Sequence, residues 1–90
     1  MKQEELIKNI DKLHTTLLGI KRIKKNLNLN NEDVIKYLRE IILDNNTIIY
    51  KHGKNWYCEN KGIKITINAS SYTIITVHQM NWIKILKMLY

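Results

Sequence analysis

Three histidines, His14, His52 and His78, five tyrosines, a single cysteine and an excess of lysine are the chemically capable residues of this chain. The histidines lie in three separate segments, with no HxxxH, CxxC or clustered carboxylate spacing, so the pattern predicts no metal site. Cys58 has no second cysteine to pair with and no nucleophile signature around it; a small core hydrophobe is the plainer reading. There is no glycine-rich phosphate loop, and no cofactor is implied. What this residue set allows is metal-free phosphodiester chemistry on RNA. A base takes the 2′-hydroxyl proton, an acid protonates the leaving 5′-oxygen, and a cation stabilises charge growing on the phosphate. His78 or His14 can be the acid or base, Tyr72 or Tyr57 can stack a base or give a proton, and Arg22 or Lys25 can hold phosphate. Each also has an ordinary structural role to weigh against this. His14 can cap the end of a first helix, and His52 can be a solvated turn residue. Lys21, Arg22, Lys24 and Lys25 can be the wet side of an amphipathic helix. Trp56 can fill the core of a chain that has no Phe.

Fifteen Lys and Arg against eight Asp and Glu leave a formal charge of +7 on 90 residues. An anionic partner is expected: RNA or another nucleic acid first, an acidic protein such as a nucleic-acid enzyme second, a membrane surface third. Abundant Lys, Asn and Ile also fit AT-rich coding DNA, which would make part of the basicity compositional. Ninety residues make a single domain, 1–90, with one modest core. A lone cysteine suits a reducing, cytoplasmic setting. The opening "MKQEELIKNI" is not a secretory signal, and no run of about 18 apolar residues predicts a membrane span.

The elements that must position these residues change character near Thr47. Before it the pattern is helical, after it strand-like, which predicts an α+β domain. Leu6, Ile10 and Leu13 share one face of a first helix ending near "HTT", where threonines compete for backbone hydrogen bonds. Thr15 or Thr16 caps a second, with Ile20, Ile23 and Leu27 inward and Lys21, Arg22, Lys24 and Lys25 outward. Asn30 or Asn31 caps a third, placing Glu32 and Asp33 in its first turn and Val34, Leu38, Ile41 and Ile42 on its buried face. "TIIYK", "NWYCE", "IKITINA" and "YTIITVH", separated by "HGK", "NKG" and "SS", read as a four-stranded antiparallel meander. The expected architecture is three N-terminal helices, about 2–44, on one face of a sheet spanning about 47–78. A short C-terminal helix follows over 81–90, with Trp82, Ile83, Leu86 and Leu89 on one side and Lys84 and Lys87 on the other. That segment would dock on the core or join two copies in a homodimer.

The last two strands decide what the sheet displays. A two-residue Ser70-Ser71 loop would pair Ile67 with Ile74 and Ile65 with Thr76. A three-residue loop over Ala69 to Ser71 would pair Ile65 with Ile75, Ile63 with Val77, Asn68 with Tyr72 and Lys64 with Thr76. Hydrophobic patterning sets register where one face is buried, and only the second register separates apolar from polar. It leaves an open face of Lys64, Thr66, Asn68, Tyr72, Thr76 and His78, joined by Asn55 and Tyr57 and, at the turn, Lys54.

"LHTT", "RIKKNL", "GKNWYC" and "ITINASSYTIITVH" together resemble a family of small bacterial proteins, mainly from Firmicutes, known as a domain of unknown function. The resemblance runs from about Leu6 to His78. It implies importance for His14, Thr15, Arg22, Lys25, Asn55, Trp56, Asn68, Tyr72, Thr76 and His78 without assigning roles. More remotely, helices followed by a four-stranded antiparallel sheet with a polar open face are similar to the barnase, EndoU, colicin and RelE-like ribonucleases. The catalytic carboxylate of the barnase branch has no evident equivalent here, since Glu59 is the sole acid in the strands. The expectation is a small RNA-directed protein, toxin-like if it cleaves, with His78 and Tyr72 as reacting pair and Arg22 and Lys25 as phosphate clamp. Two alternatives stand beside it: a non-catalytic phage or mobile-element inhibitor of a nucleic-acid enzyme, and a structural homodimer.

Overall fold

A computed structural model describes residues 2–29 and 33–79. Within them lie α1 (Lys2–Lys8), a single 3₁₀ turn (Ile10–Lys12), α2 (Leu17–Leu27) and α3 (Val34–Leu43), then strands β1 (Ile48–His52), β2 (Asn55–Asn60), β3 (Ile63–Asn68) and β4 (Ile74–Gln79). The strands form one antiparallel meander in the order β1-β2-β3-β4, so the fold is α+β. The expected Asn30 or Asn31 cap, Glu32 and the C-terminal segment with Trp82, Ile83, Leu86 and Leu89 lie outside the described residues.

The first helix is shorter than its apolar spacing suggests. Asn9 leaves helical geometry at φ −106°, ψ 20°, and its side-chain amide donates to the Glu5 carbonyl at 2.8 Å, taking an acceptor at the helix end. Leu6 and Leu13 are buried nonetheless, one from α1 and the other from just past the 3₁₀ turn. Thr16 is the cap of α2: its hydroxyl accepts the Gly19 N–H at 3.0 Å. The helix ends where Asn28 turns left-handed and donates back to the Lys24 and Lys25 carbonyls. Asp33 caps α3 instead of standing in its first turn, accepting the Lys36 N–H at 2.9 Å.

Short turns suit the strands they join. Lys61 and Gly62 both take positive φ, 53° and 78°, giving β2 and β3 the two-residue turn whose twist matches a hairpin. Gly53 does the corresponding work between β1 and β2 at φ 62°. Buried positions alternate along β2, Trp56 and Cys58, as period-two geometry requires, whereas on β4 the bulge sets the buried Ile74 and Val77 three residues apart. With Ile65 and Ile67 these side chains share one core with Leu6, Leu13, Ile23, Leu27, Val34, Leu38, Ile41 and Ile42. α2 lies against β4, α1 against β1, and α3 against β2.

Neither anticipated register for the final hairpin is the one adopted. Ile67 pairs with Ile74, but a bulge follows, and from there Thr66 pairs with Thr76, Ile65 with Val77 and Lys64 with His78. A bulge inserts one residue and reverses the facing of everything before it. Ile74 and Tyr72 therefore enter the core, at 3% and 7% exposure, while Ile75 is 49% exposed. The connecting loop is longer than two or three residues because Asn68 organises it. Its side-chain oxygen accepts the Ser70 and Ser71 N–H groups, both at 3.0 Å, and Tyr72 closes the loop in left-handed geometry at φ 59°.

Candidate functional site

Two side-chain bonds hold α2 along β4, the last strand of the sheet. Thr15, just before the helix, donates its hydroxyl to the Ile74 carbonyl at 3.3 Å, and Asn26 near its end donates its amide to the Val77 carbonyl at 3.1 Å. These partners satisfy strand carbonyls that an open sheet edge would leave bare. Gly19 leaves room for the Thr15 hydroxyl that makes the first of these bonds, since a Cβ there would collide with it. Between helix and strand runs a cleft of about 340 Å³, lined by Leu18, Arg22, Ile23 and Asn26 on one side and by Thr73, Ile75, Thr76 and His78 on the other. Arg22 and His78, far apart in sequence, thus line one cleft.

Thr76 and His78 also belong to the sheet face opposite the core, which the register arranges in rows. Tyr50, Tyr57, Thr66 and Thr76 lie side by side across all four strands, and Ile48, Glu59, Lys64 and His78 form the next row. The rings of Tyr50 and Tyr57 stack at 5.3 Å between centroids and 18° between planes. The Lys64 ammonium sits 5.0 Å from the Tyr57 centroid, over its π face. Thr66 is only 8% exposed within its row. The Tyr50 phenol is pushed up to about 12 by its hydrogen bond to the Glu59 carboxylate, together with desolvation and that carboxylate's charge. Burial alone pushes the Cys58 thiol up to about 12, which leaves it a neutral core group.

His14 is elsewhere. Its backbone extends β4 by a single parallel bridge to Thr73, with Ile74 N–H donating to the His14 carbonyl at 2.8 Å. Nδ1 lies 2.8 Å from the Lys12 carbonyl, an acceptor, so Nδ1 carries the proton and, in the neutral ring, Nε2 accepts from the Thr73 hydroxyl at 3.1 Å. Thr73 in turn meets Ser71 Oγ at 2.8 Å, and Ser71 meets Asn68 Oδ1 at 3.1 Å. Five residues of strand separate Thr73 from His78, about 16 Å at about 3.3 Å each. A single phosphodiester does not span the two imidazoles.

Of the residues expected to work together, Arg22, Thr76 and His78 share the cleft, and Lys64, Tyr57 and His78 share the open face. Lys21 and Lys25 are exposed on α2, Lys24 is half-buried, and Lys54 is exposed in the first hairpin turn. Asn55 pairs with Asn68 at the loop end of the sheet. The placement of Tyr72 beside His78 on the open face is corrected: Tyr72 is buried, with the Lys12 ammonium 5.7 Å from its ring centroid. Asn68 spends its side-chain oxygen on the loop backbone. Tyr50 and Asn26 were not anticipated. Tyr50 would have been legible from a two-residue turn at Gly53 and Lys54, which sets it opposite Tyr57, in place of the three-residue "HGK" connection expected. Asn26 was not, because its acceptor lies 51 residues away. Among the described residues no three His, Cys, Asp or Glu side chains gather as metal ligands, and no helix is long and apolar enough to cross a membrane.

Residues 7–78 match the family described as "Protein of unknown function (DUF3781)", and the chain belongs to that family. No curated protein and no solved structure matches it.

Proposed function

We propose that this protein binds single-stranded RNA across the open sheet face, with the RNA backbone running into the cleft between α2 and β4. The observation that carries this reading is the continuity of the two surfaces through Thr76 and His78. On one side they join the stacked Tyr50 and Tyr57 with Lys64 above; on the other they join Arg22. Stacked, partly exposed rings are platforms for unpaired bases, worth about 1–3 kcal/mol per base. Arg22, with Lys21 and Lys25 on the same helix, supplies cations for phosphate. The chain's +7 charge gives the field that draws a polyanion to them. In this reading the three helices cover the isoleucine-rich face of the sheet and leave the other to the ligand.

A labelled single-stranded oligoribonucleotide on a native gel tests it. The expected result is a shift that weakens steeply with salt. Tyr50→Ala, which removes the ring on the edge strand of the stacked pair, is expected to weaken binding by roughly fivefold or more, from the loss of about 1–3 kcal/mol of stacking, and Arg22→Ala is expected to flatten the salt dependence. No shift at low salt would remove the reading and leave an acidic protein as the ligand to seek.

A second reading, cleavage, rests on Arg22 and His78 lining one cleft. His78 would take the 2′-hydroxyl proton as that oxygen attacks phosphorus, Arg22 would hold the phosphate, and the P–O5′ bond would break with water protonating the leaving 5′-oxygen. The same RNA incubated in EDTA and run on a denaturing gel separates the two. Fragments formed by the wild type and absent with His78→Ala would establish a metal-independent ribonuclease; intact RNA leaves binding alone.

A further inference from the structure

The two outer edges of the sheet differ. Along β4 the edge is occupied, since Thr15 and Asn26 donate to its carbonyls and His14 bridges to Thr73. Along β1, among the described residues, no strand and no backbone hydrogen bond takes the outer side. Gly53 and Lys54 close the first hairpin as a two-residue turn, so His52 and Asn55 exchange backbone hydrogen bonds. By alternation Tyr50 does so with Tyr57 and Ile48 with Glu59, which leaves Ile49 and Lys51 turning their N–H and C=O groups away from β2 to the open edge.

β1 lacks the devices that keep such an edge from pairing. It has no proline and no bulge against β2, and its one lysine, Lys51, holds its ammonium 5.8 Å from the centroid of the buried Trp56 ring. Apolar side chains stand on both sides of the edge. Ile48, 66% exposed, and Tyr50 lie on the open face; on the helix side Ile7 and Leu43, both exposed, line a groove of about 200 Å³ with Thr47 and Ile49. Single exposed aliphatics are ordinary, whereas several around one unpaired strand edge mark an interface. Charge decides the occupant. From Glu40 to Tyr50 there is no lysine or arginine, so this border offers a polyanion or an acidic protein no cation, while two copies of a +7 chain can meet there without opposing cations. An antiparallel edge is also complementary to itself under two-fold symmetry.

We propose that β1 pairs antiparallel with β1 of a second copy, joining two four-stranded meanders into one eight-stranded sheet. The register centres on Ile49. Ile49 then opposes the partner's Ile49, Ile48 opposes the partner's Tyr50, and the Lys51 N–H donates to the carbonyl of the partner's Thr47. The two lysines stand about 13 Å apart along the strands at about 3.3 Å per residue. Centring on Tyr50 instead would bring them to about 7 Å and set each against an isoleucine. Opposed residues share a face, so both α2–β4 clefts, at the far edges, stay uncovered. The pairing goes beyond the RNA reading and does not rest on it.

Sedimentation velocity of the full-length protein over a dilution series tests the assembly, and residue-resolved amide hydrogen exchange tests its place. The expected result is a dimer that dissociates on dilution, with the Ile49 and Lys51 amides slow to exchange in the dimer. The Leu43→Gln, Ile48→Gln double variant alters two exposed positions without changing charge. It is expected to raise the dissociation constant by roughly tenfold or more, because symmetry places each change twice in the interface, and to keep the circular dichroism spectrum of the wild type. A wild type that is monomeric throughout the series overturns the proposal. So does a dimer whose Ile49 and Lys51 amides exchange freely, or one that the double variant forms as well as the wild type. The variant retains Tyr50, which the RNA reading also uses. Oligoribonucleotide bound by neither protein, with dimerisation as expected, upholds the pairing and removes the RNA reading.

Discussion

At the scale of single residues, environment separates side chains that look alike in the sequence. Tyr50, Tyr57 and Tyr72 are all strand-region phenols, yet the first two stack on the open face and the third is buried in left-handed geometry. A bulky non-glycine residue in that region costs about 1–3 kcal/mol, which burial of the ring and the loop hydrogen bonds around Asn68 offset. Tyr50 carries a measurable signature of its neighbour. Its phenol is raised to about 12 in the folded protein against 10.0 unperturbed, first through its hydrogen bond to Glu59. Folding therefore favours the protonated phenol. The associated stability is fully present below pH about 10 and is lost as pH rises through about 12. Ultraviolet titration is expected to show one tyrosine ionising late, and Glu59→Gln is expected to return it toward the ordinary value. A late phenol that ignores Glu59→Gln would contradict the assignment.

At the scale of elements, α2 decides the shape of the site. Its start is set by the Thr16 hydroxyl on the Gly19 N–H, and its seating on β4 by Thr15 and Asn26. Thr16→Ala removes the cap alone and is expected to cost about 1 kcal/mol, within the 0.5–2 kcal/mol range of such losses, measured as a shift in urea midpoint. An unchanged midpoint would mean that packing against β4, and not the cap, holds the first turn. β4 shows how one bulge alters an element's display. It leaves Ile75 uncovered beside the cleft and keeps Thr76 and His78 on the side of Lys64.

At the scale of the whole molecule, a short chain depends on a few large side chains. Trp56 is the largest fully buried one among the described residues, on β2 between two neighbouring strands, with the Lys51 ammonium 5.8 Å from its ring centroid. Trp56→Ala is expected to cost about 3–5 kcal/mol. Against a total stability of roughly 5–15 kcal/mol for a domain, that approaches unfolding at ambient temperature. Chemical denaturation followed by circular dichroism measures it, and a loss below about 1 kcal/mol would show that the core re-forms without the indole.

Local periodicity and turn chemistry were legible from the sequence because they depend on neighbours in the chain. Val34, Leu38, Ile41 and Ile42 at helical spacing announced the buried side of α3, and alternation in "NWYCE" placed Trp56 and Cys58 inward. That turns fall within "HGK" and "NKG" followed from their residue types, and strand pairing narrowed them to Gly53-Lys54 and Lys61-Gly62. Only tertiary structure decided the bulge between Thr66 and Ile67, because both loop lengths weighed for that hairpin satisfied local rules and the burial of Tyr72 and Ile74 overrode them. It also decided which polar residues meet. His14 reaches Thr73 across 59 residues and Asn26 reaches Val77 across 51, and such contacts exist only once the helices are seated on the sheet. The sequence by itself determined the α+β class, the charge and the buried side of α3; the burial of Tyr72 and Ile74, the placing of Arg22 and His78 on one cleft, and the parting of His78 from Tyr72 came from packing at long range.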